Sequence, residues 1–371
     1  MTESLGPALR AAYPELERVA AAAGDRPVYL VGGAVRDLLL GRARGDIDLV
    51  VVGDAGELAA RLGADVIEHE RFSTAKARLD SHEIDIASAR AETYPHPGAL
   101  PVVEPAADLE TDLARRDFTV NALAIPLQGP AELVDPHGGQ ADLEAGLLRV
   151  LHFRSFEDDP TRALRAARYA ARFGFRPEPE TLELLRTADL GTVSADRREA
   201  DLLRLAAEPN AARGFELIAE WGLTQPRDGG VELAARVGDL LSAPPWREVA
   251  PRAQTVLRAA LGPAGSEEGL AAAAPSRPSE AVEQAQGHDS AELALARALG
   301  AEWLDRYLLE WRLVGLEIDG EDLIAAGIPE GPAVGRGLAE ALRCKLDGEI
   351  EGRERELEIA LATARESDGV A

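Results

Sequence analysis

Two carboxylates at alternate positions, heading an apolar and β-branched run, constrain this chain more than any other feature. Residues 46–52 read DIDLVVV, and a strand of period two puts Asp46 and Asp48 on one face while Ile47 and Leu49 turn into a core. Two negative charges held so close repel unless a hard divalent cation meets their oxygens. Upstream, VYLVGGAVRDLLL at 28–40 predicts a strand ended by Gly32 and Gly33 and followed by a helix over 34–40, a turn that lets backbone N–H groups approach a phosphate. HEIDIA at 82–87 predicts a further strand, with Ile84 and Ile86 toward the core and Asp85 on the opposite face. A Gly-Gly turn alone is more often structural, and a bare DxD is more often a solvated pair. Together, three acids on neighbouring strands beside such a turn are what metal-assisted nucleotidyl transfer needs.

The rest of the chain changes character after about residue 150. Up to there strands and helices mix. Residues 5–23 have helical periodicity, Leu133–Pro136 reads as a short terminal strand, and the proline-rich YPHPGALPVVEP at 94–105 reads as a loop. Beyond it the pattern is helical, starting with Pro160–Phe173, and GPAGSEEGLAAAAPSRPSEAVEQAQ at 262–286 is the best candidate for a flexible linker, which could extend to residue 290. The 371 residues exceed one ordinary core, so several domains are expected. A net charge of −25 argues against a protein that coats nucleic acid nonspecifically. Any nucleic-acid partner must meet a local basic patch. One cysteine, an N-terminus without a basic or apolar signal region, and no apolar run of the roughly 20 residues a spanning helix needs give the expectation of a cytoplasmic protein without a membrane partner.

Further motifs fall in a fixed order: RRDFTVNALA at 115–124, LVDPHGGQADLEAGLLR at 133–149, DDPTRALRAARYAARFGF at 158–175, and VSADRREADLLRLAAEPNAARGFELIAEWGL at 193–223. With GGAVRDLLLG and DID they resemble the class II tRNA nucleotidyltransferase and bacterial poly(A) polymerase family. The resemblance runs nearly continuously over residues 28–223, and the segment 320–357 is similar to the family's tail. It implies an α+β fold: a polymerase-β-like nucleotidyltransferase head with a small, five-stranded mixed sheet over residues 1–150, then an all-helical neck (151–225) and a helical body and tail (226–371) that bind tRNA.

The resemblance also implies roles. Asp46 and Asp48 would hold two Mg²⁺ ions, for which Mn²⁺ could substitute, with Asp85 assisting catalysis. Gly32, Gly33 and Arg36 would shape the nucleotide site, Arg116 would meet the triphosphate, Asp117 the ribose hydroxyls, and Asn121 the pocket wall. Asp159 and Arg162, about one turn apart, would read the Watson–Crick edge of the incoming base, supported by Arg165 and Arg168. Asp158 stands where the family commonly has Glu, a departure expected to alter the orientation of Arg162. Between Thr161 and Arg176 lie five arginines and no acid, and Arg165, Arg168 and Arg172 share a helical face, which points to a phosphate or nucleotide target. Arg197, Arg198, Arg204 and Arg213 are expected along a tRNA-binding surface, some of them paired with neighbouring acids. The implied activity is addition of CMP, AMP or both, from CTP and ATP, to tRNA 3′ ends. Complete CCA addition ranks first, A-only addition next and polyadenylation third. A non-catalytic nucleotide sensor and transfer to a small molecule are the readings from other classes. Oligomeric state is not fixed by the sequence.

Overall fold

The computed structural model describes residues 5–42, 46–63, 67–69, 74–79 and 82–367, with the backbone alone for 67–69 and 367. The chain divides into one unit of residues 1–208 with 216–225 and a second of residues 209–215 with 226–371.

The first unit is built on a mixed sheet. Its strands are β1 (Val28–Val31), β2 (Ile47–Val51), β3 (Ile67–His69), β4 (Thr74–Leu79) and β5 (His82–Ser88), and a separate hairpin pairs β6 (Arg90–Thr93) with β7 (Val102–Pro105). With β8 (Ala124–Pro126) the sheet has the order β3-β4-β5-β2-β1-β8, six strands rather than the expected five. β2 and β5 run parallel and the other described pairs antiparallel. Two expectations fail locally. Val102–Pro105 is a strand because Ala91 and Glu92 offer it a partner edge that proline content conceals, and Val134 makes only a single bridge to Ala124.

Alternation along the strands sorts the side chains. Leu30, Ile47, Leu49, Val51, Ile84 and Ile86 are buried on one face, beneath α1 (Gly6–Ala12), α2 (Leu16–Ala23), α3 (Gly33–Leu39) and α4 (Ala55–Arg61). Each such side chain contributes about 1.5–3 kcal/mol by leaving water. The helical run at 5–23 is broken in two at Tyr13, whose ring is buried in this same core. The opposite face carries a smaller cluster of Val31, Val50, Ala122 and Ala124 with Leu109 and Leu113 of α5 (Leu109–Ala114). Asp48 and Asp85 have the parity of this second face. The unit continues through α6 (Gly139–Ala145), α7 (Ser155–Asp158), α8 (Thr161–Phe173), α9 (Pro179–Leu185) and α10 (Ala195–Ala206).

The second unit is helical among its described residues. Where the sequence suggested a linker, the structure places helices at Ser266–Ala272 and Pro278–Ala285. Their low-complexity composition hides real anchors. Leu270 and Ala281 are buried, and the fully buried Glu267 carboxylate lies 3.1 Å from Arg227 and 3.7 Å from Arg258. Paired in this way, a buried carboxylate fastens its segment instead of expelling it. A further cluster joins Leu323, Ala333 and Ala341 to Ala360 and Ala364 of the helix Arg353–Ser367. No described helix is long and apolar enough to cross a membrane.

Candidate active site

The acids that the strand pattern singled out lie at the edge of the sheet's second face. Asp48 and Asp85 are register partners across the parallel β2–β5 pair, and exposed Asp46 immediately precedes β2. Lys76 of β4 opposes Asp85 and brings its Nζ to 3.0 Å from the carboxylate. Among the described residues, no three His, Cys, Asp or Glu side chains are placed to hold one metal ion. The three aspartates therefore share a face without forming a single ligand set, and Asp85 is engaged by a lysine that the sequence reading did not weigh. Burial pushes Asp48 up to about 6 against the pull of Arg116, with the charges of Asp85 and Asp46 adding to the rise. A half-buried carboxylate that burial and neighbouring carboxylates push upward suits a hard divalent cation. Asp46 and Asp48 therefore fit Mg²⁺ or Mn²⁺ by the chemistry of their donors.

The Arg115–Asn121 segment packs beside this pair. Arg116 donates to Asp112 Oδ2 at 3.0 Å and to the Asn121 carbonyl at 3.4 Å, while its buried Nε has no partner. Asp112 is fully buried and also accepts from Arg115 at 2.7 Å. Burial works against its charge, but Arg116 and Arg115 outweigh burial and hold it below the usual carboxylate range. Gly32, with φ +65°, gives Arg116 its room, since a Cβ there would stand 2.7 Å from the guanidinium. Its own N–H is spent on the Leu123 carbonyl at 3.0 Å. The positive φ, more than an exposed amide, is what favours glycine here, and the close guanidinium adds to it.

Asp117 accepts from the Phe118 amide and the Asn121 side chain, each at 2.9 Å, and lies 3.3 Å from Arg165. Burial opposes its charge, yet Arg165, Asn121 and Arg162 keep its pKa low. Asn121 in turn accepts from Arg36 at 2.6 Å. Arg36 is itself buried, 2.8 Å from Asp37 and stacked over Phe173 and Tyr169 at 4.4 and 5.3 Å. It is committed to internal partners and orders the Asn121–Asp117 pair from behind.

On the start of α8, Asp159 and Arg162 are both buried. Asp159 Oδ1 accepts from the Thr161 amide at 3.1 Å, the Thr161 hydroxyl at 2.7 Å and Arg197 at 3.0 Å. Arg162 donates to Ser155 Oγ and to the Arg115 carbonyl, each at 2.8 Å, and its Nε is buried without a partner. Burial and the Arg162 charge push His152 below its usual value, so the ring is neutral at pH 7 and can accept from Arg162 at 3.4 Å. Asp158 lies 3.5 Å from Arg154 and 3.9 Å from His152, the ring that Arg162 approaches.

With this geometry in view, comparison with known proteins identifies the chain's kin. Residues 28–149 match the family model described as the poly A polymerase head domain. A CC-adding tRNA nucleotidyltransferase of Deinococcus radiodurans is 36% identical over 346 residues, which covers 90% of this chain and 88% of that protein. This chain belongs to the class II tRNA nucleotidyltransferases. An A-adding tRNA nucleotidyltransferase of Halalkalibacterium halodurans is 43% identical over 206 residues, 52% of this chain and 48% of that enzyme. The solved Thermotoga maritima CCA-adding enzyme complexed with tRNA is similar over 98% of this chain and 100% of its own, at 28% identity and a TM-score of 0.74.

Within this nucleotidyltransferase, the arginine-rich face of α8 finds its acids elsewhere in the chain. Arg165 lies 3.7 Å from Asp159, and Arg168 and Arg172 lie 4.0 and 3.8 Å from Glu208. The lack of acids within 161–176 therefore marks long-range pairing as well as any nucleotide target. The Arg165 and Arg168 Nε atoms are buried and face Asp117 and Glu208 as ion pairs, without a hydrogen bond of their own. Arg198 donates to the Leu190 carbonyl and Arg204 to Asp201, so these two are committed to local partners. Sequence reasoning passed over Asp112, Lys76, Ser155, Tyr94 and the inward role of Arg197. Asp112 looks like any acid in a helix's first turn. A buried acid just ahead of two arginines would have been the only signal.

Proposed function

We propose that this protein transfers CMP and AMP from CTP and ATP to the 3′ end of tRNA, building or repairing the CCA terminus without a nucleic-acid template. The tRNA 3′-hydroxyl oxygen attacks the α-phosphorus as its proton is released to water. The bond from that phosphorus to the bridging oxygen breaks, and pyrophosphate leaves with the electron pair. Asp46 and Asp48 would hold Mg²⁺, which when bound makes the attacking hydroxyl a better nucleophile and offsets charge on the leaving group. Asp85, in register with Asp48, adds negative potential at the same edge. Arg116, held by Asp112 within electrostatic reach of Asp48, would bring its positive charge to the triphosphate. Asp117 is kept charged by Arg165 and Asn121, so it can accept from ribose hydroxyls and leaves an unpaired carboxylate when a deoxy analogue is offered.

Asp159 and Arg162 would read the base. The exocyclic amines of cytosine and adenine are donors that a carboxylate accepts, whereas uracil and guanine present a carbonyl at the corresponding edge. The observation that carries this reading is the joint presence, in one unit, of the Asp46/Asp48 pair, the Arg116–Asp117–Asn121 cluster and the Asp159/Arg162 pair, in a chain whose likeness to a CC-adding enzyme spans nearly its full length. A-only addition is the second reading, favoured by the 43% identity of about half of the chain to an A-adding enzyme.

The test offers purified protein three tRNA forms, lacking A, CA or CCA, with labelled CTP or ATP, and sizes the products. Completion of CCA on all three forms supports the proposal, whereas one A added only to the form ending in CC supports the second reading. Long ladders would indicate polyadenylation. No extension with either nucleotide would leave a binding protein and reject transfer.

A further inference from the structure

Three strands carry one charged row across the sheet's second face. Lys76 of β4 is the register partner of Asp85 on β5, and Asp85 is the register partner of Asp48 on β2. Ala75 and Ala77 on either side of the lysine are buried in the main core, so alternation along β4 turns Lys76 to the face of the two acids. Its Nζ stands 3.0 Å from Asp85 Oδ1. Among the described residues it is the one cation within ion-pair distance of any of Asp46, Asp48 and Asp85.

The charge of Lys76 acts along the whole edge. It opposes the rise of Asp48, and it is favoured by Asp46 as well as by Asp85. The other cation that pulls on Asp48, Arg116, is spent on Asp112 at 3.0 Å. Asp85 therefore differs from its two neighbours in having one oxygen already engaged. That engagement accounts for three aspartates that share a face without making a single ligand set. The pair is also open to solvent, with 49% of the lysine side chain and 47% of the aspartate side chain exposed, and ion pairs so placed are weak. Lys76 holds Asp85 without fixing it, so the same oxygen can pass to a cation of higher charge.

We propose that Lys76 is a positioning residue that withholds Asp85 from the metal ligands and so sets how tightly this edge of the sheet binds a divalent ion. The inference rests on the reading that Asp46 and Asp48 hold that ion. With Lys76 in place the site offers two carboxylates. Without it, Asp85 is free to turn its oxygens toward its register partner, and the site gains both a ligand and a negative charge, which tightens binding of a hard cation. Repulsion among the three acids, no longer relieved by the ammonium, adds to that pull.

The experiment titrates nucleotide-free, full-length protein with Mn²⁺ and follows the free ion by electron paramagnetic resonance, with thermal melts as a check of folding. Lys76→Met keeps an unbranched side chain and removes the charge, and it should lower the Mn²⁺ dissociation constant by about tenfold or more. Lys76→Gln serves in its place should the methionine variant not fold. Lys76→Arg, which can keep the pair, should stay within about twofold of wild type. Loss of a nearby positive charge would by itself favour the ion, so the deciding comparison repeats Lys76→Met in an Asp85→Asn background. There the gain should shrink to about twofold or less, because no carboxylate is left to release. An equal gain in both backgrounds would mean a bare charge effect and overturn the proposal, as would Lys76→Met protein that binds Mn²⁺ no tighter than wild type or not at all. Asp48→Asn protein that binds Mn²⁺ as tightly as wild type would instead overturn the metal assignment, and the role of Lys76 with it.

Discussion

Replacing Asp48 by Asn should make the metal-free protein more stable while destroying its activity. Burial raises the Asp48 pKa from 3.8 to about 6, with Asp85 and Asp46 adding to the effect. The sign follows from proton linkage. A carboxylate with a raised folded-state pKa contributes stability that is complete below pH 3.8 and lost as the pH climbs through about 6. Above that value the charged form carries its full penalty, about 3 kcal/mol for such a rise. Residual solvent at this half-buried site lowers the expected figure to about 1–2 kcal/mol. Asp48→Asn removes the charge at nearly constant volume. Its denaturant midpoint should exceed that of wild type at pH 8 and approach it at pH 4. Added Mg²⁺ should then raise the wild-type midpoint and leave the variant unmoved. The wild-type transfer rate should also fall below about pH 6 as Asp48 takes a proton, and high Mg²⁺ should shift that fall to lower pH. A variant less stable than wild type at pH 8, or equally stabilised by Mg²⁺, would refute the reasoning.

Gly32→Ala places a Cβ against Arg116 at a left-handed backbone angle, so it should cost about 1–2 kcal/mol of stability and raise KM for both nucleotides, as read by steady-state kinetics. Arg36→Met strips Asp37 and Asn121 of a buried partner. It should destabilise by about 3–5 kcal/mol in denaturant titrations; a loss under 1 kcal/mol would contradict the role given to Arg36. Lys76→Ala breaks an exposed pair with Asp85, so stability should hold within about 1 kcal/mol. If Asp85 acts in catalysis, Asp85→Asn should slow transfer far more than Lys76→Ala does.

Local signals carried much of this architecture. Alternation in DIDLVVV and HEIDIA located β2 and β5 and set their acids on the face opposite the main core, as found. The helix after the glycines and the arginine-bearing helix were equally plain, because each has a sharp start and an apolar period. Partnership was not legible. Nothing in the sequence says that Lys76 faces Asp85, that Glu208 serves Arg168 and Arg172, or that Val102–Pro105 finds a strand to pair with. These contacts join different elements of secondary structure, and a single chain records them only once it has folded. The same limit explains the segment at 262–286, whose composition suggested a linker while Glu267, Leu270 and Ala281 anchor it. It also explains Arg197, which was expected on an RNA-facing surface and instead turns inward to Asp159.

The central claim is that Asp46 and Asp48 hold the divalent ion on which transfer depends. Anomalous diffraction from crystals of the protein soaked with Mn²⁺ and a non-hydrolysable CTP analogue tests it most directly. The account predicts a manganese peak against the carboxylates of both residues, lost in Asp48→Asn. A peak elsewhere in the first unit, or none at this edge of the sheet in crystals that hold the nucleotide, would contradict it.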